Sequence, residues 1–205
     1  DDRWVYTTSL NRKASKNWYY TLAGQIKSQF TDGYTYLADG GKSLGSALFS
    51  PGDVKLGLGF TYQPNAEFSA YISPATAKMM LRLDHRFIHT TLFGVDSNKT
   101  SAFDMGAFAR LDFKKEIKKD LMYTASLDVF YGYVLKNYNF YLGNLINWKL
   151  NKYFGATFGL DIAYDNTQPT PNFGKDPVTG KEIITGTSVK MQLKEIFGLG
   201  FNYTF

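Results

Sequence analysis

The sequence predicts an all-β protein, an antiparallel transmembrane β-barrel, on three observations: apolar residues recur with a period of two, the alternating segments are long, and the links between them alternate in length. The period is plainest in the last segment. There Val189, Met191, Leu193, Phe197, Leu199, Phe201, Tyr203 and Phe205 share one face, and Lys190, Gln192, Lys194, Gly198, Gly200, Asn202 and Thr204 the other, with Glu195 alone breaking the apolar row. Helical spacing would mix the two classes, so a strand is the reading that fits.

Nine strands follow in order. The first, 3–13, opens on Trp4 and Tyr6, and the second, 17–30, on Trp18, Tyr19 and Tyr20. The third, 53–63, sets Leu56, Leu58, Phe60 and Tyr62 against Lys55, Gly57, Gly59 and Thr61. The fourth, 66–81, is the least regular because Pro74, which cannot donate to a ladder, lies inside it. Segments 102–116, 121–135 and 138–150 come next. The eighth, 153–165, opposes Phe154, Ala156, Phe158, Leu160, Ile162 and Tyr164 to Gly155, Thr157, Gly159, Asp161 and Asp165, and 187–205 closes the set. Many exceed the five or six residues usual in soluble sheets and match the roughly 9–11 of a tilted membrane strand. Aromatic residues gather toward strand ends, where two bilayer interfaces would lie.

The links supply the third observation. Residues 14–16, 64–65, 118–120 and 151–152 make short polar turns, while 31–52, 82–101 and 166–186 are long and rich in Gly, Asp, Asn, Ser and Pro. In outer-membrane barrels the short turns are periplasmic and the long loops extracellular. With the C-terminus on the periplasmic side, strict alternation sends the first strand downward from an outer Asp1. An even-numbered barrel then needs an odd number of further strands before Asp1, giving a total of about 10 or 12.

Composition is compatible and excludes other classes. The 205 residues are 44% hydrophobic, 20% charged and 17% aromatic, which fits one domain over 1–205 and excludes a disordered chain. The absence of cysteine removes disulfide frameworks, thiol catalysis and thiolate metal sites. The net charge of +5 is spread among acidic residues, unlike a nucleic-acid footprint. No run approaches the roughly 18 apolar residues of a membrane helix, a criterion that strands escape.

Four stretches, KASKNWYYTL (Lys13–Leu22), LGLGFTYQPN (Leu56–Asn65) with YISPATAK (Tyr71–Lys78), NWKLNKYFGATFGLDIAYDN (Asn147–Asn166) and QLKEIFGLGFNYTF (Gln192–Phe205), carry a resemblance. The chain resembles an uncharacterised family of outer-membrane β-barrel proteins from Bacteroidota, a domain of unknown function. That resemblance implies a location in the bacterial outer membrane, a barrel fold and further strand-like segments upstream, and it implies no reaction. The terminal Phe201, Tyr203 and Phe205 likewise resemble the C-terminal sorting signal that outer-membrane proteins offer to the barrel assembly machinery by edge pairing.

Chemical motifs are sparse. His85 and His89 stand four apart, but in a loop and without the Glu of a zincin motif. Ser69, Ser73 and Ser126 have no histidine on their strands, so ordinary hydroxyls of a barrel wall are the plainer reading. Asp165, Asn166 and Asp176 match no calcium-loop spacing, and Gly40–Gly41 and Gly57–Gly59 precede no helix, so no phosphate cradle is indicated. No catalytic residue, metal or cofactor is expected.

What remains is the polar face. A lipid-facing apolar row places Gln25, Lys27, Lys55, Arg110, Asp112, Asp128, Asn147, Lys149, Asp161, Lys190 and Lys194 in the lumen, where they meet water or one another. Basic residues also crowd the short-turn rim at Arg12, Lys13, Lys16, Lys114, Lys115, Lys118, Lys119, Lys149 and Lys152, suiting anionic headgroups or a periplasmic partner. Two functions fit: a passive channel or porin for small solutes, and a non-conducting structural or accessory subunit of an outer-membrane complex.

Overall fold

A computed structural model describes residues 3–36, 41–87, 94–167, 170–175, 180 and 182–201. Thirteen strands lie among them. In chain order they are β1 (Arg3–Lys13), β2 (Trp18–Gln29), β3 (Gly33–Tyr36), β4 (Lys42–Ser46), β5 (Gly52–Tyr62), β6 (Phe68–Leu81), β7 (Ser101–Lys118), β8 (Leu121–Gly132), β9 (Tyr138–Lys149), β10 (Phe154–Asp165), β11 (Thr170–Lys175), β12 (Glu182–Ser188) and β13 (Gln192–Phe201). The only other regular piece among the described residues is a one-turn 3-10 helix, His85–Phe87.

Nine of these strands form one antiparallel sheet in the order β1-β2-β5-β6-β7-β8-β9-β10-β13. Consecutive strands neighbour one another because tight turns join every other pair. In two of those turns an asparagine carbonyl replaces the missing ladder: Asn65 Oδ1 accepts from the Glu67 and Phe68 amides, and Asn151 Oδ1 from the Tyr153 and Phe154 amides. In the β7–β8 turn Asp120 takes φ +65°, a left-handed conformation that aspartate tolerates.

The nine expected strands are the nine of the sheet. Two of the long links differ from the expectation, since 31–52 contains the hairpin β3–β4 and 166–186 runs into β11–β12. The last sheet strand is shorter than 187–205. Residues 187–188 end β12, and Lys190 lies in the link before β13 rather than on its polar face.

Pro74 is accommodated at a bulge. Ser73 pairs with Phe108 and Thr76 with Gly106, so two residues of β6 oppose one of β7 and Pro74 escapes the ladder. Opposite the bulge, β5 comes so close that a Cβ on Gly59 would strike the Ile72 carbonyl oxygen and lie 2.7 Å from the Ser73 Cα.

The sheet is not closed into a barrel among the described residues: β1 and β13 are its two edges. It is nonetheless curled. Thr167, after β10, packs its hydroxyl 4.0 Å from the Met80 sulfur of β6, four strands away. Asp165 acts electrostatically on Lys27 of β2 and Lys78 of β6, and Arg3 of β1 on Tyr141 of β9. One face is therefore turned in upon itself and the other outward.

Candidate functional site

Polar side chains dominate the buried face and apolar ones the exposed face, apart from a small buried cluster of Tyr71, Phe108 and Phe130. Lys78 is 1% exposed and Asp104 2%, and Thr21, Ser73 and Thr76 are also buried, whereas Leu58 is 62% exposed, Phe158 51% and Phe197 74%. In β2, β5, β7, β8 and β10 the sorting is strict alternation: Thr21, Gln25, Lys27, Asp53, Lys55, Asp104, Arg110, Asp128 and Asp161 share the inner face by register, and Leu22, Leu56, Leu58, Phe60, Leu111, Phe158 and Leu160 the outer.

Aromatic rings form two groups on the outer face. Near the short turns Trp18 packs on Tyr62 at 4.9 Å, Tyr20 on Phe60 at 5.6 Å and Phe154 on Phe201 at 5.3 Å. Near the long loops Tyr138 stacks on Tyr164 at 5.5 Å, and Phe140 on the same ring at 6.1 Å. Aliphatic side chains fill the band between. Polar residues interrupt it at Thr8, in register with Gly24 and Leu56, at Glu195 opposite Leu160, and at Asn144, whose Oδ1 accepts from the Tyr123 hydroxyl and whose Nδ2 donates to the Leu160 carbonyl.

Inside, charges are arranged in rows across the strands. Toward the long-loop end, Gln25, Lys55, Lys78 and Asp104 are successive register partners from β2 to β7. Lys55 and Lys78 stand directly opposite each other, a repulsive pair. Asp53 relieves it by ion-pairing with both, its carboxylate oxygens 3.3 Å from Lys55 Nζ and 3.5 Å from Lys78 Nζ, while Lys78 also lies 4.9 Å over the Phe130 ring. Asp104 Oδ1 takes the Val134 and Leu135 amides. Midway along, Arg110 Nε donates to Asp128 Oδ1 at 2.7 Å, with a second bond from its Nη2 to Oδ2. Asp161 faces Lys194 in register on β10 and β13.

The long-loop end is covered. The buried Arg82 guanidinium donates to the Val95, Asp96 and Lys99 carbonyls, pulling residues 95–99 over the interior. Val95 and Phe87 are buried, and Gly94, at φ +70°, leaves room for Met80 and Thr167. Outside this cover Arg86 bridges two links, donating to both Asp32 oxygens and to Asp84. Those bonds hold the Asp84 carboxyl down to about 2, and that of Asp32 below its ordinary value. The short-turn end holds a cavity of about 390 Å³ reaching from Gln63 and Ser69 up to Lys55 and Phe108.

Of the expected lumen residues, the structure brings Gln25, Lys27, Lys55, Arg110, Asp112, Asp128, Asn147, Asp161 and Lys194 to the inner face by register. Asn147 and Lys149 lie toward the short-turn rim and are exposed, Asn147 accepting from the Thr157 hydroxyl at 2.9 Å. Lys190 is the correction: it is exposed and outside any strand, because β13 starts two residues later. Phe201 ends β13, and Tyr203 and Phe205 lie outside the described residues, as do His89 and Asp176.

Missing from the expectation were Asp53, Lys78, Arg82 and Asp104. Alternation extended from Lys55 reaches Asp53, and from Arg110 reaches Asp104. Lys78 was hidden because the bulge shifts the parity of β6 beyond it. Among the described residues no group of three or more His, Cys, Asp or Glu gathers to hold a metal ion, and no helix is long and apolar enough to cross a membrane.

Comparison with known proteins gives a family match at the N-terminal part. Residues 1–34, comprising β1, β2 and the start of the following link, match a family described as a protein of unknown function, DUF3078. No curated protein and no solved structure matches the chain. What the sequence and fold establish together is an all-β chain whose nine-stranded antiparallel sheet buries its polar face, with its N-terminal part similar to a domain of unknown function.

Proposed function

We propose that the chain forms most of a bacterial outer-membrane β-barrel that passes small polar solutes through a wet interior. The observation that carries this reading is the inverted burial. In water, leaving Leu58, Phe158, Phe197 and Leu199 exposed while burying Lys78 and Asp104 forfeits hydrophobic stabilisation and adds the cost of desolvating charge. In a bilayer the same arrangement places hydrocarbon against hydrocarbon. Strands of eleven or twelve residues, tilted by about 40°, span the roughly 25 Å apolar band of an outer-membrane barrel. The two aromatic groups suit its two interfaces.

Closure follows from the same reading. The edges β1 and β13, first and ninth in strict alternation, run parallel to each other, and so long an exposed edge pair invites strand addition. One or three further antiparallel strands close the cylinder with uniform pairing. The short-turn side is then periplasmic, where Lys114, Lys115 and Lys149 meet anionic headgroups, and the C-terminal strand is the one offered to the assembly machinery.

The test has two stages. The full-length protein is expected in the outer-membrane fraction, extractable only with detergent; recovery in the aqueous fraction overturns the lipid-facing assignment. In a planar bilayer it is expected to give discrete openings. A second reading, a non-conducting accessory subunit, is favoured by the loop that Arg82 holds across one end. Silence in the bilayer together with stoichiometric partners in mild detergent selects it.

A further inference from the structure

We propose that the cavity at the short-turn end is a binding site for a neutral polyhydroxylated solute of mono- to disaccharide size. The inference rests on the wet interior argued above and deepens it by naming a substrate class. At about 390 Å³ the cavity falls at the lower end of the roughly 300–1,000 Å³ typical of small-molecule sites.

Its chemistry separates neutral ligands from anions, and the carboxylate that lines it, Asp112, is a further acceptor for hydroxyl groups. The cations that line it are already engaged, Arg110 by Asp128 and Lys55 by Asp53, so an anion finds no uncommitted partner in either. What the cavity offers instead is a run of groups able both to donate and to accept. The Thr21 hydroxyl donates to Asn11 Oδ1 at 2.7 Å and lies 2.7 Å from the Thr61 hydroxyl, a chain across β1, β2 and β5 that continues from the Asn11 amide nitrogen to the Ser9 hydroxyl at 3.1 Å, with all four residues lining the cavity. Sugar hydroxyls match such groups because each both donates and accepts.

The floor is aromatic. Tyr71 and Phe108, with ring centroids 6.1 Å apart and planes at 57°, both line the cavity, and the Arg110 guanidinium lies 5.7 Å from the Phe108 centroid. An apolar C–H face of a pyranose packs on such rings while its rim of hydroxyls reaches the threonines. A small inorganic anion uses neither feature.

The experiment is calorimetric titration of the full-length protein in detergent with sucrose, with inorganic phosphate as the ionic counterpart, beside the bilayer recordings. Saturable sucrose binding is expected, weakened about fivefold by Thr61→Val, which keeps the volume and removes one hydrogen bond, and more by Phe108→Leu. Thr61→Val alone decides the matter if Phe108→Leu does not fold. No saturable sucrose binding, binding indifferent to Thr61→Val, or phosphate bound in its place overturns the proposal. Sucrose bound by a protein that never conducts keeps the site and removes the channel. Conductance without sucrose binding keeps the channel and removes the site.

Discussion

At the long-loop end of the interior Lys78, Arg82 and Asp104 are buried and Arg82 holds the carbonyls of Val95, Asp96 and Lys99, whereas at the short-turn end Asp112 of β7, which lines the cavity, and Asn147 and Lys149 of β9 are exposed. Both ends belong to one polar face, so the difference is not one of hydrophobicity. It arises from the links. A turn of two to five residues cannot reach back over the sheet, while the β6–β7 link can, and Arg82 gives it something to bind. Charge that is covered is held by ion pairs and backbone groups, as Lys78 is by Asp53 and Arg82 by carbonyls; charge at an open end needs only water.

The contrast is broken most strongly at Arg82. Replacing it with alanine leaves three carbonyls over the interior without their shared donor, and is expected to cost about 3–5 kcal/mol in all, read as a lowered unfolding midpoint in detergent. The same experiment on Asn147 at the open end, Asn147→Ala, should move the midpoint little. Next in size is the outer face. Phe158→Arg is expected to cost about 2–4 kcal/mol in lipid, since a cation there faces hydrocarbon. A soluble sheet would take it within about 0.5 kcal/mol, as at any exposed site, and that outcome would reverse the inside and outside of the whole molecule.

A smaller effect is expected at the approach of β5 to the bulge. Gly59→Ala puts a methyl against the β6 backbone, where no side-chain rotation relieves it, and should cost about 1–3 kcal/mol. Gly155, whose Cβ would meet only the Trp148 carbonyl oxygen at 3.5 Å, should accept the same change with a much smaller loss.

The least effect is one of pH. The Asp84 carboxyl is held to about 2 by the hydrogen bonds of Arg86, and Asp32 is lowered by the same guanidinium, both from an ordinary 3.8. A depressed carboxyl stabilises the folded form above its unfolded value and loses that contribution as pH falls through the folded one. The link between Asp32 and Arg86 should therefore become more open to an acid-active protease from about pH 4 down toward 2. Arg86→Ala should remove that dependence.

Most of the fold was legible because the side-chain period of a strand is two and each wall has only two sides. Leu56, Leu58 and Phe60 against Lys55, Gly57 and Gly59 need no tertiary knowledge to sort. The hairpins in the long links were not legible, because segments of four to seven residues carry little periodic signal and β11 begins Thr170-Pro171. Lys190 was misplaced for a related reason: the alternation of Val189 and Met191 continues past the end of the ladder, and pattern alone cannot say where hydrogen bonding starts. Arg82 was beyond reach, since its partners are backbone carbonyls, which every residue carries.

The bulge at Pro74 has a consequence for how sequence change is tolerated. Tyr71 and Ser73 point inward on odd numbers, Thr76, Lys78 and Met80 on even ones, so the two halves of β6 are out of phase by one residue. Deleting one residue at the bulge would remove the extra residue and join the two halves into one unbroken alternation with Lys78 still inward, whereas deleting one from a regular strand such as β10 would turn every side chain beyond it to the opposite face. The irregular point of the wall is thus where a lost residue is absorbed, and the regular strands are where it is not.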